Sequence, residues 1–278
     1  MDGNKILQRC ISTLQMVNQI TIWYNAWAER AIKFLGVEDT MWVSVFVITA
    51  LLAGLVQGIA GFGSGPIQMM TYPLHWPLPV AAAVSVCVSV PLNLNMLLTY
   101  RHEVKWKKVL LPIVPYMIIC SVAISFSKMI NQNLMKKIFG VFLIALAIYY
   151  LFLNHREKKP LNLARTILYV IISALCDAFF GIGGPLMVLY YLSRTDNAKE
   201  YLGTIAAFFL INGVYNTVYR LISGILTPEQ FPFIGLGIIA ILVGVTIAHR
   251  LVNRLNDTLL KKITYIMIGV TGVLNLFS

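Results

Sequence analysis

Two glycine-rich breaks set into long apolar runs limit most strongly what this chain can fold into. The first is Gly61-Phe62-Gly63-Ser64-Gly65-Pro66 and the second is Gly181-Ile182-Gly183-Gly184-Pro185. Each follows a long apolar run and opens into a short one that begins with proline. Glycine reaches backbone conformations closed to other residues, and proline suits the first turn of a helix. Each break therefore reads as an unwound elbow followed by a helix N-terminus whose N–H groups point into a cavity. Irregular backbone at membrane depth survives only where protein or water satisfies it. The two elbows are thus the first candidates for a binding site.

Composition places these runs in a bilayer. The chain is 58% hydrophobic and 12% charged, with a mean hydropathy of +0.77. A soluble domain of 278 residues needs far less apolar surface, and several runs approach or exceed the ~20 residues that span a membrane. An all-α polytopic protein of the cell membrane is expected. Its 22 Lys+Arg against 11 Asp+Glu lie mainly in short connections. That is loop charge touching anionic lipid rather than a nucleic-acid surface, since no basic stretch is long enough to track phosphates. Cys87, Cys120 and Cys176 fall inside apolar runs, and with Cys10 they show no metal-ligand spacing; they read as small buried residues. His75, His102, His155 and His249 are scattered at helix ends, and no cofactor is called for.

Four segments follow. In residues 1–40, Leu7, Ile11, Leu14, Val17, Ile20, Trp23, Trp27, Ala31 and Phe34 recur every third or fourth position with polar residues between. This predicts a peripheral amphipathic helix, at the headgroup level or packed against the transmembrane core or a partner subunit, and no signal peptide. A first transmembrane repeat covers 41–153, a basic linker 154–165 and a second repeat 166–278. Within the repeats, helices are expected at about 41–60, 80–100, 109–126, 138–153, 166–180, 201–221, 232–248 and 263–277, with short runs after each elbow. Placing Pro66 on Pro185 brings Asn93 onto Asn212 and Tyr100-Arg101 onto Tyr219-Arg220. After a short slip, Leu134–Ile138 falls on Leu259–Ile263. Agreement at so many places in one order marks a duplication.

The direction of the halves depends on the elbows. If elbow and short run complete one crossing, the halves are parallel. If the elbow is the tip of a hairpin returning to its own side, three crossings remain in each half and the halves are inverted. Counting all Lys/Arg separates these poorly, at 14 against 8 for inversion and 13 against 9 for parallel halves. Without Lys5, Arg9, Arg30 and Lys33 of the peripheral helix the counts become 14 against 4 and 9 against 9. Inversion is favoured, and it suits transporters with midplane sites between broken helices.

The stretch Gly54-Leu55-Val56-Gln57-Gly58-Ile59-Ala60-Gly61-Phe62-Gly63-Ser64-Gly65, with Pro73 downstream, resembles the first-half signature of the TauE/SafE sulfite exporter family. Phe180-Gly181-Ile182-Gly183-Gly184-Pro185, followed by Leu189-Tyr190, is similar to its second-half signature. The likeness covers about 41–277. It implies a carrier of small sulfur-containing or organic anions such as sulfite or sulfoacetate. The chain departs from the family pattern at Asp177, where a small residue is usual, and at Ser64, where glycine is common. Both departures bear on substrate rather than fold.

Read from the residues, two converging helix N-termini make an anion site. Expected lining groups are Gln57, Gly61, Phe62, Gly63, Ser64, Gly65, Gln68, Asn93, Gly181, Gly183, Gly184 and Asn212. The bland alternatives are glycines that only let helices pack closely and asparagines that only tie helices together. Asp177 is the one acidic residue well inside an apolar run, so it is either a proton-coupling group or an acceptor for its own elbow. Arg101 and Arg220 are gating candidates, weighed against plain snorkelling to headgroups. The expected partners are a small anion, the bilayer and a coupled proton, with a homodimer left open. An ion channel or a cation carrier using the same elbows remains the alternative, and an intramembrane enzyme ranks last for want of a nucleophile–base pair.

Overall fold

The computed structural model describes residues 40–127, 129–148 and 162–251. The expected N-terminal amphipathic helix, most of the basic linker and the expected helix at 263–277 lie outside the described residues. The chain divides into two units, Met1–Val45 and Phe46–Ser278. The first contributes only the opening turn of a helix at 40–45; the second holds everything that follows.

Every regular element among the described residues is helical. These are α1 (Thr40–Ala60), α2 (Ser64–Thr71), α3 (Leu78–Tyr100), α4 (Trp106–Ser127), α5 (Gln132–Ile148), α6 (Leu163–Phe180), α7 (Gly184–Leu192), α8 (Ala198–Ile222) and α9 (Phe231–Leu251). Six of them are long and apolar enough to cross a membrane. The chain is an integral multi-pass membrane protein. On α4 the residues Leu110, Val114, Ile118, Val122 and Phe126 stand exposed at four-residue spacing, while Val109, Ile113, Tyr116 and Cys120 are buried. A stripe of that kind is tolerated where hydrocarbon replaces water on the outer face.

Both elbows turn the chain back on itself. Beyond the first, Ser64 lies against Gln57, Thr71 Oγ1 donates to Thr49 Oγ1 at 3.2 Å, and Tyr72 stacks on Phe46 at 4.6 Å. Residue numbers rise on one side and fall on the other, so α2 runs back along α1 as a hairpin. Beyond the second, Ser173 Oγ donates to the Gly183 carbonyl and Arg194 Nη2 donates to Thr166 Oγ1 at 3.2 Å. α7 therefore returns along α6 in the same way.

α3 and α8 form the central pair. A Cβ on Gly203 would meet the Tyr100 carbonyl, one on Gly213 would meet Val90, and Arg220 reaches the Pro79 carbonyl. These contacts run in opposite order along the two helices, so α3 and α8 are antiparallel. The outer helices cross between halves. Gly237 meets Phe46 and Gly58 meets Ala248, so α9 lies parallel to α1. Tyr116 Oη donates to Ser173 O at 3.1 Å and Cys120 Sγ to Ala174 O at 3.3 Å, so α4 lies parallel to α6. Small residues allow this closeness: a Cβ on Gly54 would fall on the Ile241 carbonyl oxygen, and one on Gly244 on that of Leu51.

Candidate functional site

The first elbow begins where α1 meets two glycines in left-handed backbone, Gly61 at φ +78° and Gly63 at φ +115°. Side chains rarely tolerate those angles, so only glycine lets the helix stop and reverse here. Gln57, one turn earlier, stabilises the reversal. Its Oε1 accepts the Ser64 N–H at 3.2 Å, and its Nε2 donates to Asn93 Oδ1 on α3 at 2.7 Å. Asn93 Nδ2 in turn donates to the Ser89 carbonyl at 3.0 Å. Ser64 Oγ lies 3.2 Å from Ser89 Oγ, which also accepts from Gln68 Nε2 at 3.0 Å.

The second elbow turns at Gly181, φ +64°, with Asp177 one turn before it. Asp177 is buried. Its Oδ2 accepts from Asn212 Nδ2 at 2.6 Å and from Asn216 Nδ2 at 3.0 Å, and Cys120 Sγ approaches the same oxygen at 3.9 Å. Gly183 packs directly on the carboxyl-bearing side chain: a Cβ there would come 2.8 Å from Asp177 Cβ. The halves thus use the same device with different chemistry. Gln57 pairs with Asn93, and Asp177 pairs with Asn212, each before its own elbow.

Arg220 departs from the expected snorkelling. It is fully buried, donating from Nη1 to Pro79 O at 3.1 Å and from Nη2 to Asp177 O at 3.1 Å and Ala178 O at 2.7 Å. The last carbonyls of a helix lack internal partners and carry partial negative charge, which a cation satisfies. Arg220 therefore ties the end of α6 to the start of α3. Its repeat partner Arg101 stays exposed, with Nε donating to His102 Nε2 at 3.1 Å.

The elbows touch. A Cβ on Gly65 would sit 2.6 Å from the Gly181 carbonyl oxygen, and one on Gly184 would reach 3.7 Å from both Phe62 and Phe209. Beside this contact lies a cavity of about 60 Å³, several times the ~10–15 Å³ that one water needs on the same measure. Of the residues singled out in the sequence, Gln57, Phe62, Gly63, Ser64, Gly65, Asn93, Asp177, Gly181, Gly183, Gly184 and Asn212 line it. Gly61, Gln68, Arg101 and Arg220 are not among the lining residues. Gly61 instead packs towards Tyr201 and Leu202.

Sequence reasoning missed Ser85, Ser89 and Phe209 in the wall. The serines had a legible signal, because Ser85, Ser89 and Asn93 fall at successive i, i+4 positions on one face of α3. The amides turn inward to other protein groups: Gln57 and Asn93 bond each other, and Asn212 bonds Asp177. Among the described residues, the first-turn N–H groups of Gly65 and Gly184 meet no protein acceptor; the next residues, Pro66 and Pro185, have none to offer. Gly65, Gly184, Ser64, Ser85 and Ser89 line the cavity, and Asp177 is its single ionisable lining side chain among the described residues.

A family model described as sulfite exporter TauE/SafE matches residues 46–274. A probable membrane transporter protein of Methanocaldococcus jannaschii is 24% identical over 172 residues, which cover 57% of this chain and 64% of that relative. The chain thus spans just under two thirds of the length of the curated relative that it matches. No solved structure matches it.

Proposed function

The chain belongs to the sulfite exporter TauE/SafE family, and on that footing we propose that it is a secondary transporter of the cell membrane. Its cargo is a small anion, a sulfur-containing or organic acid such as sulfite or sulfoacetate. The observation that carries this reading is the meeting of two helix N-termini on one cavity, where the Gly65 and Gly184 N–H groups have no protein acceptor. Anions bind such termini because the free N–H groups and the aligned peptide dipoles favour negative charge. The cavity's size suits a solute of a few heavy atoms.

The duplicated halves are inverted in this reading. Support comes from the two hairpins and from the antiparallel packing of α3 on α8, which are repeat equivalents. Transport proceeds by alternating access, the two halves rearranging in opposite senses around the elbows. A proton is the coupling ion, taken up and released at Asp177. The carboxyl lines the cavity, and a charge at that depth is retained where it does work. The test is counterflow of labelled sulfite, thiosulfate, sulfonates and simple carboxylates into proteoliposomes, with and without a pH gradient. Saturable, gradient-dependent uptake of one class is expected; currents too large for a carrier would point to a channel.

One observation favours a second reading, a cation carrier. Among the described residues, the only ionisable side chain lining the cavity is an acid, with no Lys or Arg beside it. Tracer uptake of a divalent metal in the same vesicles separates the two, since the anion carrier leaves the metal outside.

A further inference from the structure

The seam between α4 and α8 runs from one end of the bundle to the cavity. Its outermost contact is the one ion pair among the described residues. Glu200, Thr204, Phe208 and Asn212 follow one another at four-residue spacing on α8, so they share a face, and all four are buried. Each meets a different partner. Lys108 Nζ donates to Glu200 Oε1 at 2.8 Å, and the Lys105 N–H donates to Thr204 Oγ1 at 3.2 Å. Tyr116 packs edge-on against Phe208 at 5.0 Å, and Asn212 holds Asp177. A line of rings takes the same course. Phe209 lines the cavity, Phe208 lies 5.7 Å from it and Tyr191 5.7 Å further on. Tyr191 Oη then reaches the Lys108 carbonyl at 3.5 Å. Lys108 Nζ also donates to the carbonyl of Arg194, whose guanidinium covers the Tyr190 ring at 4.8 Å.

Three features set this pair apart. Lys108 stands in the first turn of α4, where the helix dipole disfavours a cation, so local structure does not account for it. The pair joins the halves, because Lys108 belongs to the first repeat whereas Arg194 and Glu200 belong to the second. The equivalent positions at the other end carry no charge. The register that places Pro66 on Pro185 sets Thr227 against Lys108 and Ala81 against Glu200. Rings gather at that end instead, Trp76 lying 5.9 Å from Phe46 and 5.1 Å from Phe233. The gating candidates read from the sequence are engaged otherwise: Arg220 holds main-chain carbonyls, and Arg101 stays exposed.

We propose that Lys108 and Glu200 are the latch on one mouth of the cavity, a breakable tie between the halves at the end where α4 and α8 begin. The inference rests on the alternating-access reading. Opening that mouth parts α4 from α8, breaks the pair and draws Tyr191 and Phe208 apart; closing it restores them. The Glu200 side chain is 4% exposed and that of Lys108 32%. A pair that already touches water on one side biases two states without locking either, as a carrier cycle requires.

The test reads access to the cavity. Ser85→Cys, in the full chain free of native cysteine, places a thiol on the cavity wall. Membrane vesicles of both orientations are treated with an impermeant thiol reagent, and the latch side is the side from which Glu103→Cys labels. From that side, Glu200→Gln and Lys108→Met are each expected to raise the labelling rate of Ser85→Cys about threefold, with no rise from the opposite side. Lys108→Glu combined with Glu200→Lys is expected to bring the rate back towards that of the intact pair, which a merely loosened fold would not do. An unchanged rate from the latch side, an equal rise from both sides, or a double variant as fast as the single ones overturns the latch. In each of those cases the carrier reading stands as long as a labelled anion still enters proteoliposomes of the wild type. If no anion enters, the carrier reading falls and takes the latch with it.

Discussion

Asp177 and Arg220 are the two buried charges that the apolar runs admit near the cavity, and they are treated differently. The acid lines the hollow beside the elbow, whereas Arg220 is spent on main-chain carbonyls of Pro79, Asp177 and Ala178. Replacing Arg220 with Met removes its donors from those three carbonyls and the counter-charge from the nearby carboxyl. Loss of one partner from a buried charged set costs on the order of 3–5 kcal/mol, so the detergent-solubilised variant should melt well below the wild type. Asp177→Asn should keep the fold, because an amide fills the same volume and its oxygen can still accept from Asn212. It should flatten the dependence of sulfite uptake on the pH gradient, measured as initial rates in proteoliposomes. Retained rate and retained pH dependence would remove the coupling role. Asp177 was visible in the sequence as an acid inside an apolar run. Arg220 was visible only as one of two matched Tyr-Arg pairs, and the match concealed that one arginine faces outward while the other meets the frayed end of a helix.

The hairpins owe their shape to a few glycines with separable duties. Gly63 is required for its backbone angle, φ +115°, and Gly183 for space, since a Cβ there would run into the Tyr116 hydroxyl. Gly63→Leu and Gly183→Leu should both abolish uptake while the protein still reaches the membrane fraction; normal transport in both would remove the elbows from the site. The glycines between α1 and α9 serve packing alone. Gly54→Leu places its Cβ on the Ile241 carbonyl and should destabilise by about 3 kcal/mol, the upper end for overpacking. Gly235→Ala, on the facing helix α9, is the control, with nothing within 4 Å of the added atom; its melting temperature should stay at the wild-type value. Among the described residues, helix starts were readable from hydropathy to within about three residues, except that α5 begins at Gln132 rather than near 138, because its first turn is polar and basic (Gln132, Asn133, Lys136, Lys137). What hydropathy could not read was the sense of α2 and α7, because an apolar run has the same composition whether the chain crosses or turns back.

The antiparallel central pair makes a prediction about the whole membrane-embedded chain. Lys108 Nζ donates to Glu200 Oε1 at 2.8 Å and the Lys105 N–H to Thr204 Oγ1 at 3.2 Å, so the start of α4 and the start of α8 lie at one end of the bundle. Inverted halves put Glu103 and Asp196 on the same side of the membrane and Glu229 on the other. Parallel halves put Glu103 and Asp196 on opposite sides. Glu103→Cys, Asp196→Cys and Glu229→Cys, in a background free of native cysteine, should label with an impermeant thiol reagent in that two-and-one pattern. Labelling of positions 103 and 196 from opposite sides would refute inversion. Loop charge pointed the same way once the peripheral helix was left out, but a count of Lys and Arg records which side a loop prefers and not which helices pair.

Local chemistry settled what could be read one segment at a time. Length and apolarity called for a multi-pass helical membrane protein, the matched motifs pointed to a duplication, and glycine beside proline marked where the helices break. Each of these depends on a residue and its near neighbours, so a linear string carries it. The bonds that build the cavity join residues far apart in the chain, Gln57 to Asn93 and Asp177 to Asn212, at separations of 36 and 35. Contacts of that kind arise only once packing has chosen which faces meet. Tertiary structure alone decided that the two elbows touch at Gly65 and Gly181, that Gln57 pairs with Asn93 and Asp177 with Asn212, and that Gly65, Gly184 and Asp177 line the same small hollow.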